Sequence, residues 1–202
     1  MKRYLAITFG FLLLSTFFGG APAAARPATG MSFGYMFALS PPTGYVNSKV
    51  VVTNILFAAN TSVKVTFDGA AACTFTTASN GTGSCSFRVP ATDQGLHEVK
   101  ATGGGQSNSK YFNVDPRVKL TPNYGPRGTT MNVSLRGFMT NTAVIVKWYN
   151  STQKITIRTL TTSSTGSANF YFMVPSNAVK GPYKVWARQY NGMSTAATFT
   201  VT

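Results

Sequence analysis

Apolar and polar residues alternate one by one over short stretches of this chain. Val144, Val146 and Trp148 interleave with Ile145, Lys147 and Tyr149, and the same beat returns in Phe170, Phe172 and Val174. A period of two sends successive side chains to opposite faces of a strand, one face buried and one wet. Gly, Asn and Pro turns break these stretches about every ten residues, which predicts short strands stacked as a β-sandwich. Over the first half they fall near 37–41, 49–55, 62–67, 72–77, 84–89, 97–102 and 110–114. Nowhere does the pattern leave room for the crossover helices that a parallel sheet requires.

The pattern occurs twice. Leu39, Ser40, Pro41 and Gly44 recur as Leu120, Thr121, Pro122 and Gly125, 81 residues later, and Phe57 recurs as Phe138. Val63, Lys64 and Val65 recur as Val144, Ile145 and Val146. Gly81, Phe87, Val89 and Pro90 then match Gly166, Phe172, Val174 and Pro175 at an offset of 85. Val99 and Ala101 match Val185 and Ala187 at 86, and Phe112 and Val114 match Phe199 and Val201 at 87. An offset that grows only at turn-rich places is the mark of insertions into surface loops. Two all-β domains are therefore expected, at residues 39–115 and 116–202, joined through Asp115, Pro116 and Arg117 by a linker short enough for them to touch end to end. A propeller or long solenoid would need more repeats.

The shared frame runs from Leu, Ser or Thr, Pro and a Gly, through an alternating valine strand, to a Gly followed by Phe-x-Val-Pro and a last Phe-x-Val. It resembles the immunoglobulin-like repeats of bacterial extracellular proteins, the IPT/TIG-like and related E-set families, over residues 39–114 and 120–202. The resemblance implies two tandem immunoglobulin-like β-sandwich domains that act as a spacer, stalk or adhesive module with no activity of their own. The chain departs from the usual pattern in its few acidic loop residues, which argues against calcium binding.

Ahead of the repeats, Lys2 and Arg3 precede an apolar run over residues 5–18, and Ala21, Pro22, Ala23, Ala24 and Ala25 follow as small residues suited to cleavage. That order predicts a signal peptide over residues 1–25 and a secreted or cell-envelope protein. The run is shorter than the roughly 20 residues of a membrane-spanning helix, and no second one follows, so no transmembrane span is expected in the mature chain. An uncleaved anchor is the alternative. Residues 26–38 form an N-terminal extension with Phe33, Tyr35 and Phe37, which would extend the first sheet, cover an edge or meet a partner. Sequons stand at Asn60, Asn80, Asn132 and Asn150, usable only in a eukaryotic secretory pathway.

Cys73 and Cys85 are the only cysteines, and an exported chain makes a disulfide between them the default expectation. Spacing alone sets Ile155 and Phe170 at their places in the second copy. A redox role would want Cys-x-x-Cys and an activating neighbour.

Charge separates the copies. The chain carries 18 Lys and Arg against 4 Asp and Glu, a net +14, and from Pro116 onward it holds ten basic residues and no acid. A field of one sign attracts polyanions and anionic surfaces. Strand parity turns Lys184, Trp186, Arg188 and Tyr190 outward together, beside Lys147 and Tyr149 of the neighbouring strand. Where the second copy has Lys184, Trp186 and Arg188, the first has Glu98, Lys100 and Thr102, so this face is particular to the second domain. Three readings compete: an ordinary solvated face with Trp186 covered by a loop or the other domain, a surface for wall glycan or anionic polymer, and a nucleic-acid surface, which export disfavours. Envelope proteins are the remaining partner class.

The chain lacks the groups for catalysis. His97 is the single histidine, shares parity with Val99 and matches Tyr183, so it is expected to pack. Asp68, Asp93, Glu98 and Asp115 form no defensible acid–base pair, and no serine has a triad around it. One histidine and two oxidised cysteines make no zinc site. Gly103, Gly104 and Gly105 are followed by a strand, where a phosphate loop needs a helix. No enzyme, metal or cofactor is expected. The reading is a non-catalytic structural spacer, with an adhesive or polymer-binding module as its alternative.

Overall fold

The computed structural model describes residues 36–55 and 57–202; the expected signal segment 1–25 and residues 26–35 of the extension lie outside them. Sixteen strands account for the regular structure of the described residues. The first eight are β1 (Met36–Ser40), β2 (Thr43–Gly44), β3 (Lys49–Ile55), β4 (Ser62–Phe67), β5 (Ala70–Thr76), β6 (Thr82–Arg88), β7 (Gly95–Gly103) and β8 (Gln106–Val114). The second eight repeat them as β9 (Arg117–Thr121), β10 (Tyr124–Gly125), β11 (Thr130–Arg136), β12 (Ala143–Tyr149), β13 (Lys154–Thr161), β14 (Ala168–Met173), β15 (Gly181–Gln189) and β16 (Ser194–Val201).

Each octet makes one sandwich, and the strand order is the same in both. A three-stranded sheet β1-β3-β6 faces the five-stranded sheet β2-β8-β7-β4-β5, and β9-β11-β14 faces β10-β16-β15-β12-β13. The repeated Leu-Ser/Thr-Pro motif lies where the first strand leaves one sheet for the other. Proline has no N–H for the ladder, so pairing stops at Ser40 and Thr121 and the chain crosses to run parallel to β8 or β16. Both Ser40–Pro41 and Thr121–Pro122 peptide bonds are cis. Met36, Phe37 and Ala38, the last residues of the extension, belong to β1 and pair with β3, and Phe37 is buried in the first core.

The inner faces are built from the alternating positions. Val50, Val52, Val63, Val65, Phe67, Val99, Ala101 and Phe112 fill the first sandwich; Met131, Val133, Val144, Val146, Trp148, Val185, Ala187 and Phe199 fill the same places in the second. One aromatic stack anchors each core. Phe67 stacks on His97 with ring centroids 5.2 Å apart, and its counterpart Trp148 stacks on Tyr183 at 4.5 Å.

A buried threonine recurs beside each core, a feature that the sequence pattern did not single out. Thr77 accepts the Thr61 N–H at 2.8 Å and donates to Ala58 O at 2.6 Å. Thr162 accepts from Thr142 N at 3.0 Å and donates to Met139 O at 2.5 Å. Each hydroxyl satisfies loop backbone groups that the strand ladders leave over.

The disulfide Cys73–Cys85 is formed, with Cα atoms 6.1 Å apart. It joins β5 to β6, strands of different sheets, and so ties the sandwich across its open side. The expected counterpart of Cys73 needs correction. Val65 pairs with Cys73 and Val146 pairs with Arg158, after the same bulge in both copies, so Arg158 and not Ile155 stands in its place. The reason is the hairpin turn. Asp68 and Gly69 connect β4 to β5, whereas β12 and β13 run one pair further and turn through residues 150–153, so the whole insertion precedes β13. Phe170 does stand in the place of Cys85, since Val52 pairs with Cys85 and Val133 with Phe170. The Arg158 guanidinium carbon lies 6.0 Å from the Phe170 ring centroid. A cation–π contact thus occupies the position of the covalent cross-link.

Asp115 and Pro116 alone separate β8 from β9. Gly166, the repeat of Gly81, has φ +61°, and a Cβ there would overlap the Phe138 carbonyl oxygen and reach within 3.0 Å of Asp93 Cα. The 166 turn of the second sandwich therefore lies against the first, and only glycine fits.

Two stability changes follow, both read by urea unfolding. Cys73→Ser with Cys85→Ser loses roughly 2–3 kcal/mol, the loop-closure value for so short a loop. Thr162→Val loses about 1–3 kcal/mol by stranding the Thr142 N–H, while Thr162→Ser keeps most of the stability.

Candidate functional site

β12 and β15 are neighbours in the five-stranded sheet of the second sandwich. Val144, Val146, Trp148, Val185 and Ala187 point into the core and are fully buried. Alternation then commits the intervening residues to the outer face. The register sets Tyr149 opposite Lys184, Lys147 opposite Trp186 and Ile145 opposite Arg188. The flanking strands complete three rows: Lys154 and Thr198 beside the first, Thr156 and Ala196 beside the second, Thr159 and Ser194 beside the third. Rings and cations, with Ile145, hold the middle of the face; the flanking positions are small or hydroxyl-bearing apart from Lys154.

Lys184 and Arg188 are exposed, while Lys147, Tyr149 and Trp186 are half-buried. The Lys147 ammonium stands 5.7 Å from the centre of the Trp186 ring, a cation–π distance. Tyr190 lies just past the end of β15, in the turn to β16, and is 96% exposed. All six residues expected to share a surface are on this side of the sheet or at its rim.

Two shallow depressions flank the central Lys147–Trp186 pair. One, of about 290 Å³, is lined by Tyr149, Asn150, Ser151, Pro182, Lys184 and Thr198. The other, of about 320 Å³, is lined by Ala143, Ile145, Thr159, Arg188, Gln189 and Tyr190. Gln189 was not among the expected site residues. It is 2% exposed, and neither atom of its carboxamide has a hydrogen-bond partner among the described residues. Both atoms are themselves buried, out of reach of a group in the depression, and an amide in that condition costs about 1–3 kcal/mol. The signal was present in the sequence: a glutamine at a position whose parity, with Val185 and Ala187, is inward.

His97 and two of the acids are engaged in the first sandwich. His97 is 7% exposed, with Nδ1 2.6 Å from Asp68 Oδ2 and Nε2 3.1 Å from Asp93 O. The remaining Asp68 oxygen accepts the Glu98 N–H at 3.0 Å. His97 thus packs and cross-ties two turns, as its parity implied. No group of three or more His, Cys, Asp or Glu able to hold a metal occurs among the described residues, and none of their helices is long and apolar enough to cross a membrane.

No protein-family model matches the chain, and no curated protein does. Solved structures with a similar course of chain include the adhesin InvE of Yersinia pseudotuberculosis, at 13% identity and TM-score 0.38, matching 82% of this chain and 58% of that one. Invasin, a bacterial integrin-binding protein, is matched at 14% identity and TM-score 0.38, over 83% of this chain and 39% of that one. A tetra-tandem repeat from the extending region of a large adhesion protein is matched at 19% identity and TM-score 0.37, over 82% and 48%. The chain spans 58% or less of the length of each of these three structures.

The chain has two tryptophans, one in the core and one on this face. Trp186→Phe is expected to remove the acrylamide-accessible part of the fluorescence and leave the blue-shifted, protected emission of Trp148. The same variant should unfold within about 0.5 kcal/mol of the parent, as surface substitutions do.

Proposed function

We propose that this chain is a non-catalytic, extracellular-type module that binds a glycan or anionic polymer through the outer face of its second sandwich. Lys147, Tyr149, Lys184, Trp186, Arg188 and Tyr190 carry the binding. The single observation behind this reading is the cross-strand register, which sets two aromatic rings and three cations on one outer face, with Tyr190 at its rim. Rings stack on the apolar faces of sugars, and guanidinium and ammonium groups pair with carboxylate or phosphate. The first sandwich, cross-linked by Cys73–Cys85, holds this face at a defined place in an envelope-facing chain.

A purely structural spacer is the second reading. Two residues between β8 and β9, and a glycine that admits the close approach of the two sandwiches, favour a stiff rod. The repeat frame, similar to IPT/TIG-like and E-set repeats, is compatible with either role.

Binding of the purified protein to a panel of wall glycans and anionic polymers separates the two, measured at about 0.15 M and 0.5 M salt beside Trp186→Ala. Screening shortens electrostatic reach below ~8 Å over that range. Retention of binding at high salt, with loss in the variant, is the expected outcome. No binding, or weak binding that salt abolishes equally in both proteins, assigns the chain to the spacer role.

A further inference from the structure

The outer faces of the two three-stranded sheets carry a second cationic surface. Lys49 stands directly opposite Arg88 on β3 and β6. Across the junction, Arg117 stands directly opposite Arg136 on β9 and β11, with Lys119 opposite Ser134 on the next outward row. Like charges facing each other across a strand pair destabilise a sheet. Two such pairs flank the same domain junction.

None of these cations has an acid beside it. The ion pairs among the described residues are confined to His97 with Asp68 and Asp93. Asp115, the acid nearest in sequence, is held by Asn113 Nδ2 at 2.7 Å. The three guanidinium groups are instead steadied by neutral partners. Arg88 Nη1 donates to Asn47 O at 3.0 Å, Arg136 Nη1 donates to Leu135 O at 3.0 Å, and Arg117 lies 5.2 Å from the centre of the Tyr45 ring. Most of their N–H donors remain available, in positions already set.

The surface between them is concave. A depression of about 340 Å³ is bounded by Val46, Asn47 and Ser48 of the first sandwich and by Arg117, Lys119 and Arg136 of the second. A second, of about 450 Å³, shares Lys119, Ser134 and Arg136 with it and extends to Tyr171, which is 76% exposed. The two form one trough that starts at the first sandwich and runs over the sheet β9-β11-β14, away from the aromatic face of the other sheet.

We propose that this trough is a binding site for a linear polymer bearing phosphate groups, laid across the junction of the two sandwiches. Guanidinium groups meet phosphate oxygens with two parallel N–H donors each, and successive phosphates neutralise the like-charge pairs that the bare fold tolerates. An isolated small anion would engage one end of the trough; a chain of phosphates engages its length. Occupation links the two sandwiches through Asn47 and Ser48 on one side and Arg117 and Arg136 on the other, so the ligand also stiffens the junction.

Inorganic polyphosphate is the probe, titrated against the full chain, Arg117→Gln with Arg136→Gln, Lys119→Gln alone, and Lys64→Gln with Lys100→Gln, two exposed cations on β4 and β7 of the first sandwich. All four proteins should share the protected Trp148 emission, which certifies the fold. The trough pair is expected to weaken binding at least ~tenfold and to flatten the dependence of log affinity on log salt by about one to two units. Lys119→Gln, which removes a single exposed ammonium, should weaken it by a smaller factor, and the first-sandwich pair should leave it within about twofold, beyond loss of general field. Polyphosphate should also raise the unfolding temperature of the parent more than that of the trough pair. Equal losses in the trough and first-sandwich pairs, or no loss in either, overturn the site. The test is independent of the aromatic face: Trp186→Ala can fail to affect glycan binding while the trough pair still loses polyphosphate.

Discussion

Everything on the surface of this molecule follows from the burial of the inner faces of its strands. Valines and aromatics at every second position must meet across the sandwich, and a slip of one residue would send the whole set into water. That penalty locks β12 against β15 in a single register. The same register that buries Val146 and Ala187 sets Lys147 against Trp186 on the outside. In the facing sheet, burial of Val118 and Leu135 brings Arg117 against Arg136. The outer faces are therefore consequences of the core, which tolerates an unfavourable charge arrangement because the apolar gain of each buried valine, about 1.5–3 kcal/mol, exceeds it.

The duplication shows which features the fold requires and which it leaves free. The crossing of the first strand between sheets, the bulge in the fourth, the buried threonine and the stacked ring pair occur in both copies. The means of tying the open side differ. One copy uses a disulfide and the other an arginine over a phenylalanine. The second copy also has the larger stack, with Trp148 and Tyr183 where the first has Phe67 and His97. More aromatic area in the core supplies burial where the covalent link is missing.

Charge has diverged more than the fold. All four acids lie before Pro116, and two of them are engaged with His97. The second sandwich, free of acids, offers cations on both of its outer faces: with aromatic rings on the five-stranded sheet, and with hydroxyl and amide groups on the three-stranded one. The first face suits ligands that stack; the second suits ligands that are chiefly charged.

The two-sandwich fold, and the outward parity of Lys147 and Tyr149 on one strand and of Lys184, Trp186 and Arg188 on another, were readable from the sequence, because strand periodicity is local. The disulfide was readable for a similar reason, since two cysteines have one possible pairing. What parity does not carry is pairing between strands distant in sequence and the place of an insertion within a turn. Arg158 rather than Ile155 in the place of Cys73 depended on how far one hairpin extends before it turns. The orphaned Gln189, the paired threonines and the trough beside Arg117 and Arg136 required knowing which loops and strands meet across the fold. Alternation along a strand is a property of the chain; the neighbours of that strand are chosen by packing, and only the tertiary structure records the choice.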